Sequence, residues 1–558
     1  NSSKSGAENK LVLRFMNRLE VKMKKIYNSI TEMVGHTPLL RLNRLCRKHK
    51  VKAEILGKCE AYNPLFSVKD RIALKMLEKA EESGKVNSET VFVEATSGNT
   101  GIALSAMCAA KGYKLVITMP ENMSEERKEN IQTGNPLGEA SVASLMVKFA
   151  VPSIIAMLVS ALYNIVDQLF IGQAVGTLGN AATNVAFPLT TSCIALALMF
   201  GIGGASCFNL NMGGGHKDRA VYFVGNAIIC LIGSGVILFL IAELFLTPLL
   251  TGFGAPENVL PYAQTYVRIT AIGFPFLILT TGGCHLIRAD GSPNMAMLCN
   301  LIGAVINTVL DAIFVMVFHW GMAGAALATI IGQIISAIIV IRYLLHFKTV
   351  SLTKEHFRPQ IEYISKTAQI GMASFFNQVA MMVVQIIMNN SLTHYGAASV
   401  YGDAIPLACA GIVIKVNQIF FSIVIGLSQG SQPVESFNYG AKNYDRVRKA
   451  FSLAATSGVI ISIVSFVLFQ IFPRQILGLF GTGEPEYFTF GVRFFRIFLF
   501  FIWLDALQPI TSTFFTSIGK PAKGIFLSLT RQIIFFIPLL LILPHFMGIE
   551  GCIYCGPI

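Results

Sequence analysis

The chain has 558 residues, of which 53% are apolar and only 13% charged, so a single soluble domain is excluded. The net charge of +13 splits into +8 over residues 1–132, where 23 Lys/Arg face 15 Asp/Glu, and +5 over the remainder. The later basic residues fall between apolar runs rather than on one face, which argues against a nucleic-acid partner.

Residues 1–23 form an unassigned extension with no apolar stretch resembling a signal peptide. Residues 24–127 alternate short apolar runs with helical periodicity: KIYNSITEMVGHTPLLRLNRL, ILGKCEAYNPLFSVKDR, a helix, VFVEATSGNTGIALSAMCAAKGY and KLVITMPENMS. A Ser/Thr/Gly loop opening a helix, as in TSGNTG, presents N–H donors to an anion. This stretch closely resembles the first third of cysteine synthase (O-acetylserine sulfhydrylase), an α/β enzyme of the fold-type II pyridoxal phosphate (PLP) class. By that resemblance Lys69 matches the Schiff-base lysine and Asn99 the residue that holds the hydroxyl of the cofactor ring. Thr96, Ser97 and Thr100 match the loop that grips the substrate carboxylate. The family also needs a later Gly/Thr-rich phosphate cup and a partner for the pyridine nitrogen. After residue 127 only membrane-type sequence follows, and TTGG at 280–283 lies inside an apolar span. The expectation is an incomplete fragment that has no catalytic residue at work and binds PLP only if it folds. A membrane-tethered cysteine synthase is the competing activity.

From residue 145 onward the sequence runs in apolar blocks of ~20 residues or more, the length that crosses ~30 Å of hydrocarbon. The spans read as 145–171, 183–211, 220–247, 262–287, 294–318, 322–345, 364–391, 399–428, 448–472, 487–516 and 522–545, with a twelfth beginning at Gly548 and cut off at Ile558. Alternate loops carry Lys217/Arg219, Arg288, the group Arg342/Lys348/Lys354/Arg358/Lys366, the group Lys442/Arg446/Arg448/Lys449, and Lys520/Lys523. The intervening loops carry only Arg474, while Arg268 and Arg493 lie inside spans. The N-terminus and the basic loops are therefore expected on the cytoplasmic side of the plasma membrane. The eleven Cys are scattered, and the one CxxC pair, Cys552 and Cys555, has no second pair to complete a zinc site.

The membrane part repeats itself. FAVPSIIAMLVSALYNIVDQLFIG (149–172) has the polarity profile of TAQIGMASFFNQVAMMVVQIIMNN (367–390), and Pro188 in VAFPL matches Pro406 in DAIPL. GGGHKDRA (213–220) matches YGAKNYDRVRKA (439–450), and RADGSP (288–293) matches TSIGKP (516–521). Two homologous six-helix halves of the same orientation explain this, 128–346 and 347–558, with a cavity between them suited to alternating access.

An ionisable group at bilayer depth costs at least about 2.5–3.5 kcal/mol, so each needs a partner or a role. Asp167 lies in the first span and Asp311 in the fifth, where Asn307, four residues earlier, shares its face. Thr329 in the sixth adds a hydroxyl. Two carboxylates, an amide oxygen and a hydroxyl make a hard-oxygen set for Na⁺, or a carboxylate pair able to hold one proton. Asp505 stands in FIWLDALQ of the tenth span, and Lys415 is mid-helix in the eighth. Asp403 and Glu243 read as interfacial. Met372, Met381, Met382 and Met388 are either a soft surface for apolar ligands or lipid-facing filler.

NPLGEASVASLMVKFAVPSIIAMLVSALYNIVDQLFIGQAVG, VAFPL, RADGSP, NTVLDAIF and GAALATIIGQ closely resemble the multidrug and toxic compound extrusion (MATE) family, from about residue 128 to 558. The resemblance implies a mainly α-helical polytopic membrane protein that exports drugs or other small organic molecules, amphipathic or cationic, in exchange for Na⁺ or H⁺. No other cofactor is required. It also implies that Asp167, Asn307, Asp311 and Thr329 form a cation site in the first lobe and that Asp505 is a coupling acid. The Glu that some members carry in the seventh helix is replaced here by FFNQ, with Asn377 and Gln378. A lipid or polysaccharide flippase of related fold is the alternative within transport. RKENIQTGNPLG resembles a MATE start and Met23 a cysteine synthase start, which implies two coding units joined in frame.

Overall fold

The apolar runs become helices in the computed structural model, which describes residues 27, 29–42, 53–87, 89–96, 98–118, 135–401, 404–480 and 485–556. The chain divides into two compact units, Asn1–Glu139 and Ala140–Ile558. Met23, Ser97 and Asp403 lie outside the described residues.

In the first unit β1 (Leu39–Arg41) pairs antiparallel with β2 (Leu56–Lys58). A helix α1 (Lys69–Glu82) follows. Then β3 (Val91–Ala95) pairs parallel with β4 (Lys114–Thr118) through the crossover helix α2 (Asn99–Lys111), because a parallel pair needs a long connection. Helix α2 stops at Gly112, whose φ of +79° gives the left-handed cap. Ala73 and Leu77 of α1 pack against Ala103, Leu104, Met107 and Cys108 of α2. The guanidinium of Arg71 grips Glu60 at 2.8 and 3.1 Å, and reaches Gly35 O and Thr37 Oγ1 at 3.0 Å each. This pairing holds the Glu60 carboxyl below its ordinary range. One face of the β3–β4 pair stays open, with Val93 66% and Val116 48% exposed.

The second unit is helical. Its first half contains α3 (Val142–Val175), α4 (Thr177–Gly213), α5 (Lys217–Leu244), α6 (Leu260–Ile272), α7 (Phe274–Ala289), α8 (Pro293–Asp311) and α9 (Gly321–Leu344). The second half contains α10 (Ile361–Ala397), α11 (Ala404–Gly440), α12 (Tyr444–Ile471), α13 (Pro485–Phe498), α14 (Ile502–Asp505) and α15 (Leu507–Ser517). It is completed by α16 (Pro521–Leu529), α17 (Ile537–Met547) and α18 (Ile549–Tyr554). Among the described residues nine helices are long and apolar enough to cross a membrane, or ten with the bent pair α6–α7.

The two halves repeat in detail. Helices α4 and α11 both have 37 residues, and α5 and α12 both have 28. The fourth span of each half is broken. Between α6 and α7 the axis turns by 55°, where Pro275 lacks the N–H that would continue the helix. In the second half the span read as 487–516 is divided into α13, α14 and α15, and Pro509 likewise cannot donate to the carbonyl of Asp505. Each of the eleven spans read from the sequence falls on helical segments, although nine or ten meet the length and apolarity of a crossing helix among the described residues, and the eighth runs to Gly440 rather than 428. The sequence QGSQPVESFN (429–438) is polar enough to read as a loop, yet it is buried between helices.

The connection between the halves is tied to the first of them. Asp290 accepts Tyr343 Oη at 2.8 Å, Lys348 N at 2.7 Å, Thr349 N at 3.0 Å and Thr349 Oγ1 at 2.5 Å. Asn226 Oδ1 accepts Gln360 N at 2.8 Å.

Candidate functional site

Helix α8 does not end at Asp311 but continues as a π-helical segment, Ala312–Val317. Such segments shift the phase of the side chains and often accompany functional positions. Asp311 is fully buried and Asn307, one turn before it, is 4% exposed. Asp167 of α3 comes within hydrogen-bonding reach of the Asp311 carboxyl, and Asn307 flanks it. Asn307 Nδ2 donates to Thr329 Oγ1 at 3.2 Å, and Thr329 in turn donates to Ala325 O at 3.0 Å. The threonine hydroxyl is thus spent on its own helix and fixes the amide, leaving Asn307 Oδ1 turned away from that bond. Tyr163 and Tyr266 lie beside the two acids.

The donors of Asn307 and Thr329 are used within their own pair and helix. Asp167 Oδ1, Asn307 Oδ1 and both Asp311 carboxyl oxygens are buried without a hydrogen-bond partner among the described residues. Neither acid is in an ion pair there. A buried carboxylate left unpaired is costly, and oxygens of this kind are chemically able to share a proton or to hold a hard cation. Among the described residues no group of three or more His, Cys, Asp or Glu is placed to hold a metal ion.

The second lobe is built differently. Asp505 Oδ2 accepts Arg531 Nη2 at 3.0 Å. Arg531 is the second residue of another π-helical segment, Thr530–Phe536, and was not anticipated from the sequence. No ion pair to Lys415 is present among the described residues, and Glu243 faces Arg268 at 3.9 Å.

A further group missed in the sequence lies where the lobes meet, toward the basic loops. Helix α3 runs along α11, and α4 along α10 and α11. Gln432 of α11 donates to Ile202 O at 3.2 Å and Ser206 Oγ at 2.9 Å across the interface. His285 Nδ1 and Arg288 Nη2 are 3.0 Å apart on α7. Glu435 is fully buried, and both carboxyl oxygens lack a hydrogen-bond partner among the described residues. The two backbones touch because glycine permits it. A Cβ on Gly371 would overlap Met199 O, and one on Gly430 would lie 2.5 Å from Ala150 Cα. The lobes are therefore closed at the basic end.

In the first unit Lys69 opens α1 and Asn99 opens α2, with Thr96 and Thr100 beside it. The N-terminus of α2 at Asn99 follows β3, whose pairing with β4 leaves Val93 and Val116 exposed.

A model of the MatE family matches residues 152–313 and 373–542. The chain belongs to the MatE family. Multidrug export protein MepA of Staphylococcus haemolyticus is 25% identical over 417 residues, covering 75% of this chain and 90% of that protein. MepA of Staphylococcus aureus strain MRSA252 is 24% identical over 419 residues, with the same coverage. A solved structure described as the outward-facing conformation of a multidrug resistance MATE family transporter of the MOP superfamily superposes with a TM-score of 0.70 at 23% identity, over 76% of this chain and 94% of that one. A MATE in the straight conformation matches equally well, at a TM-score of 0.70 and 23% identity over the same shares. Residues 30–134 match a model described as pyridoxal-phosphate dependent enzyme. Both resemblances read from the sequence are borne out, and the MatE chain is a multi-pass membrane transporter with an N-terminal PLP-enzyme-like segment.

Proposed function

We propose that this MatE chain is an antiporter that exports drugs or other small organic molecules, amphipathic or cationic, across the cytoplasmic membrane in exchange for Na⁺ or H⁺. The observation that carries the reading is the Asp167–Asp311 pair, three of whose buried oxygens, together with Asn307 Oδ1, find no donor among the described residues. A cation entering there neutralises the charge that otherwise opposes burial, so its binding and release bias the packing of α3 against α8. The MepA relatives, described as multidrug export proteins, support the substrate class. With the full chain in proteoliposomes, ethidium efflux should follow an imposed Na⁺ or proton gradient. Efflux indifferent to both gradients would sink the reading.

The distribution of basic loops supports a cytoplasmic position for the end at which the lobes close. Cys substituted at Ser351 or Asn443 is expected to react with an impermeant maleimide only from the cytoplasmic side, and at Thr251 only from outside. The reverse pattern would invert the orientation.

Residues 24–127 carry no cysteine synthase activity in this reading. PLP needs its phosphate and ring nitrogen held by protein groups before its chemistry is tuned, and Lys69 with the TSGNTG loop supplies only part of that. The full chain with added PLP is expected to make cysteine from O-acetylserine and sulfide no faster than free PLP. Turnover clearly above that background would refute it.

A further inference from the structure

The two lobes solve the problem of a buried acid in opposite ways. In the first, Asp167 and Asp311 share an oxygen cluster with no ion-pair partner among the described residues. In the second, Asp505 has Arg531 at 3.0 Å, with side chains 24% and 35% exposed, and the guanidinium carbon lies 5.8 Å from the centre of the Phe421 ring. The helices packed on α14 bring no competing charge. The charged residues of α12 are confined to its first turns, at Asp445, Arg446, Arg448 and Lys449, and α15 has none. Lys415 forms no ion pair among the described residues.

This difference is specific to position. At the offset that aligns RADGSP with TSIGKP, the counterpart of Arg531 is Gly303, that of Asp505 is Leu277, and that of Asp311 is Leu539. At the offset that aligns the first spans, Asp167 corresponds to Gln385. The π-helical segment opening at Thr530 sets Arg531 toward Asp505. A guanidinium stays charged at every accessible pH and cannot leave. Its pairing supplies the counter-charge that the first lobe must take from solution.

We propose that Arg531 is a tethered counter-cation that closes the Asp505 carboxylate to exchangeable Na⁺ or H⁺, so that the coupling cation loads at the first lobe alone. The proposal rests on the cation-coupled reading given above for Asp167 and Asp311, but it is tested at a different pair. Arg531→Gln leaves the half-buried Asp505, at membrane depth, without its partner, a state that draws a cation from solution.

The experiment measures equilibrium binding of ²²Na⁺, and in parallel proton release with a pH indicator, on the purified full chain. Wild type is expected to hold about one exchangeable cation per chain, and Arg531→Gln about two, because each unpaired buried acid needs one counter-charge. Arg531→Lys and the neutral double variant Asp505→Asn/Arg531→Gln should remain at the wild-type value. Asp311→Asn should lose the first-lobe cation and leave the effect of Arg531→Gln intact. An Arg531→Gln protein that is folded and still binds as wild type overturns the proposal, whatever the first lobe does. Wild type binding no cation, with one gained in Arg531→Gln, would sink the first-lobe reading and with it the loading clause, while upholding the closure of Asp505 by Arg531. If Arg531→Gln fails to fold, the double variant decides. It is expected to keep the wild-type ratio of cations to exported ethidium, and a lower ratio overturns the proposal.

Discussion

Asp311→Asn is expected to abolish gradient-driven efflux while the protein still folds and inserts. Asp311 is fully buried, and neither carboxyl oxygen has a donor among the described residues, so none of the described packing depends on its charge. The amide keeps the shape and removes a charge whose burial is costly in lipid. What disappears is the partner of the coupling cation. Removing one member of a buried ion pair costs about 3–5 kcal/mol, which corresponds to a loss of at least about 100-fold in cation affinity. Asp167→Asn should act in the same direction. Ethidium efflux under Na⁺ and pH gradients, set beside the elution profile of the detergent-solubilised protein, checks both halves of the expectation. Normal export by both variants would remove the first-lobe acids from the mechanism. Thr329→Val should be milder, because the hydroxyl acts only by orienting Asn307 at 3.2 Å.

Gly371→Val is expected to lower transport at least about tenfold by a different route, disfavouring closure of the basic end. The added Cβ would overlap the carbonyl oxygen of Met199, a backbone atom in the opposing helix that has no rotamer to escape into. Overpacking of this kind costs typically about 1–3 kcal/mol, and each 1.4 kcal/mol shifts a two-state equilibrium about tenfold. Native Cys207, 2% exposed and packed beside Ile370 and Phe223, reports the change. In a variant retaining Cys207 as its sole cysteine, Gly371→Val should make it reactive to maleimide from the basic side. Transport and Cys207 protection both unchanged would mean that the close approach at Gly371 is dispensable.

The sequence by itself determined the helical membrane unit, the two-fold repeat, the α/β segment ahead of it and the grouping of Asp311 with Asn307. These follow from local rules. Length and apolarity define a span, spacing of four places residues on one face, and aligned turns such as RADGSP and TSIGKP reveal duplication. A lone acid in an apolar run, as at Asp167, also stands out without any structure, because its cost in lipid is large. Only the tertiary structure decided the rest. Arg531 and Asp505 are 26 residues apart on separate helices, and no local pattern pairs them. The stretch from Gln429 to Asn438 reads as a loop because its composition is polar. It is a buried helix because burial depends on what packs against a residue, here helices of the opposite lobe brought close by glycine. The open face of β3 and β4 is likewise invisible in VFVEA and KLVIT, whose alternation is compatible with a covered sheet. Whether such a face is covered depends on chain elsewhere in three dimensions, which local periodicity does not encode.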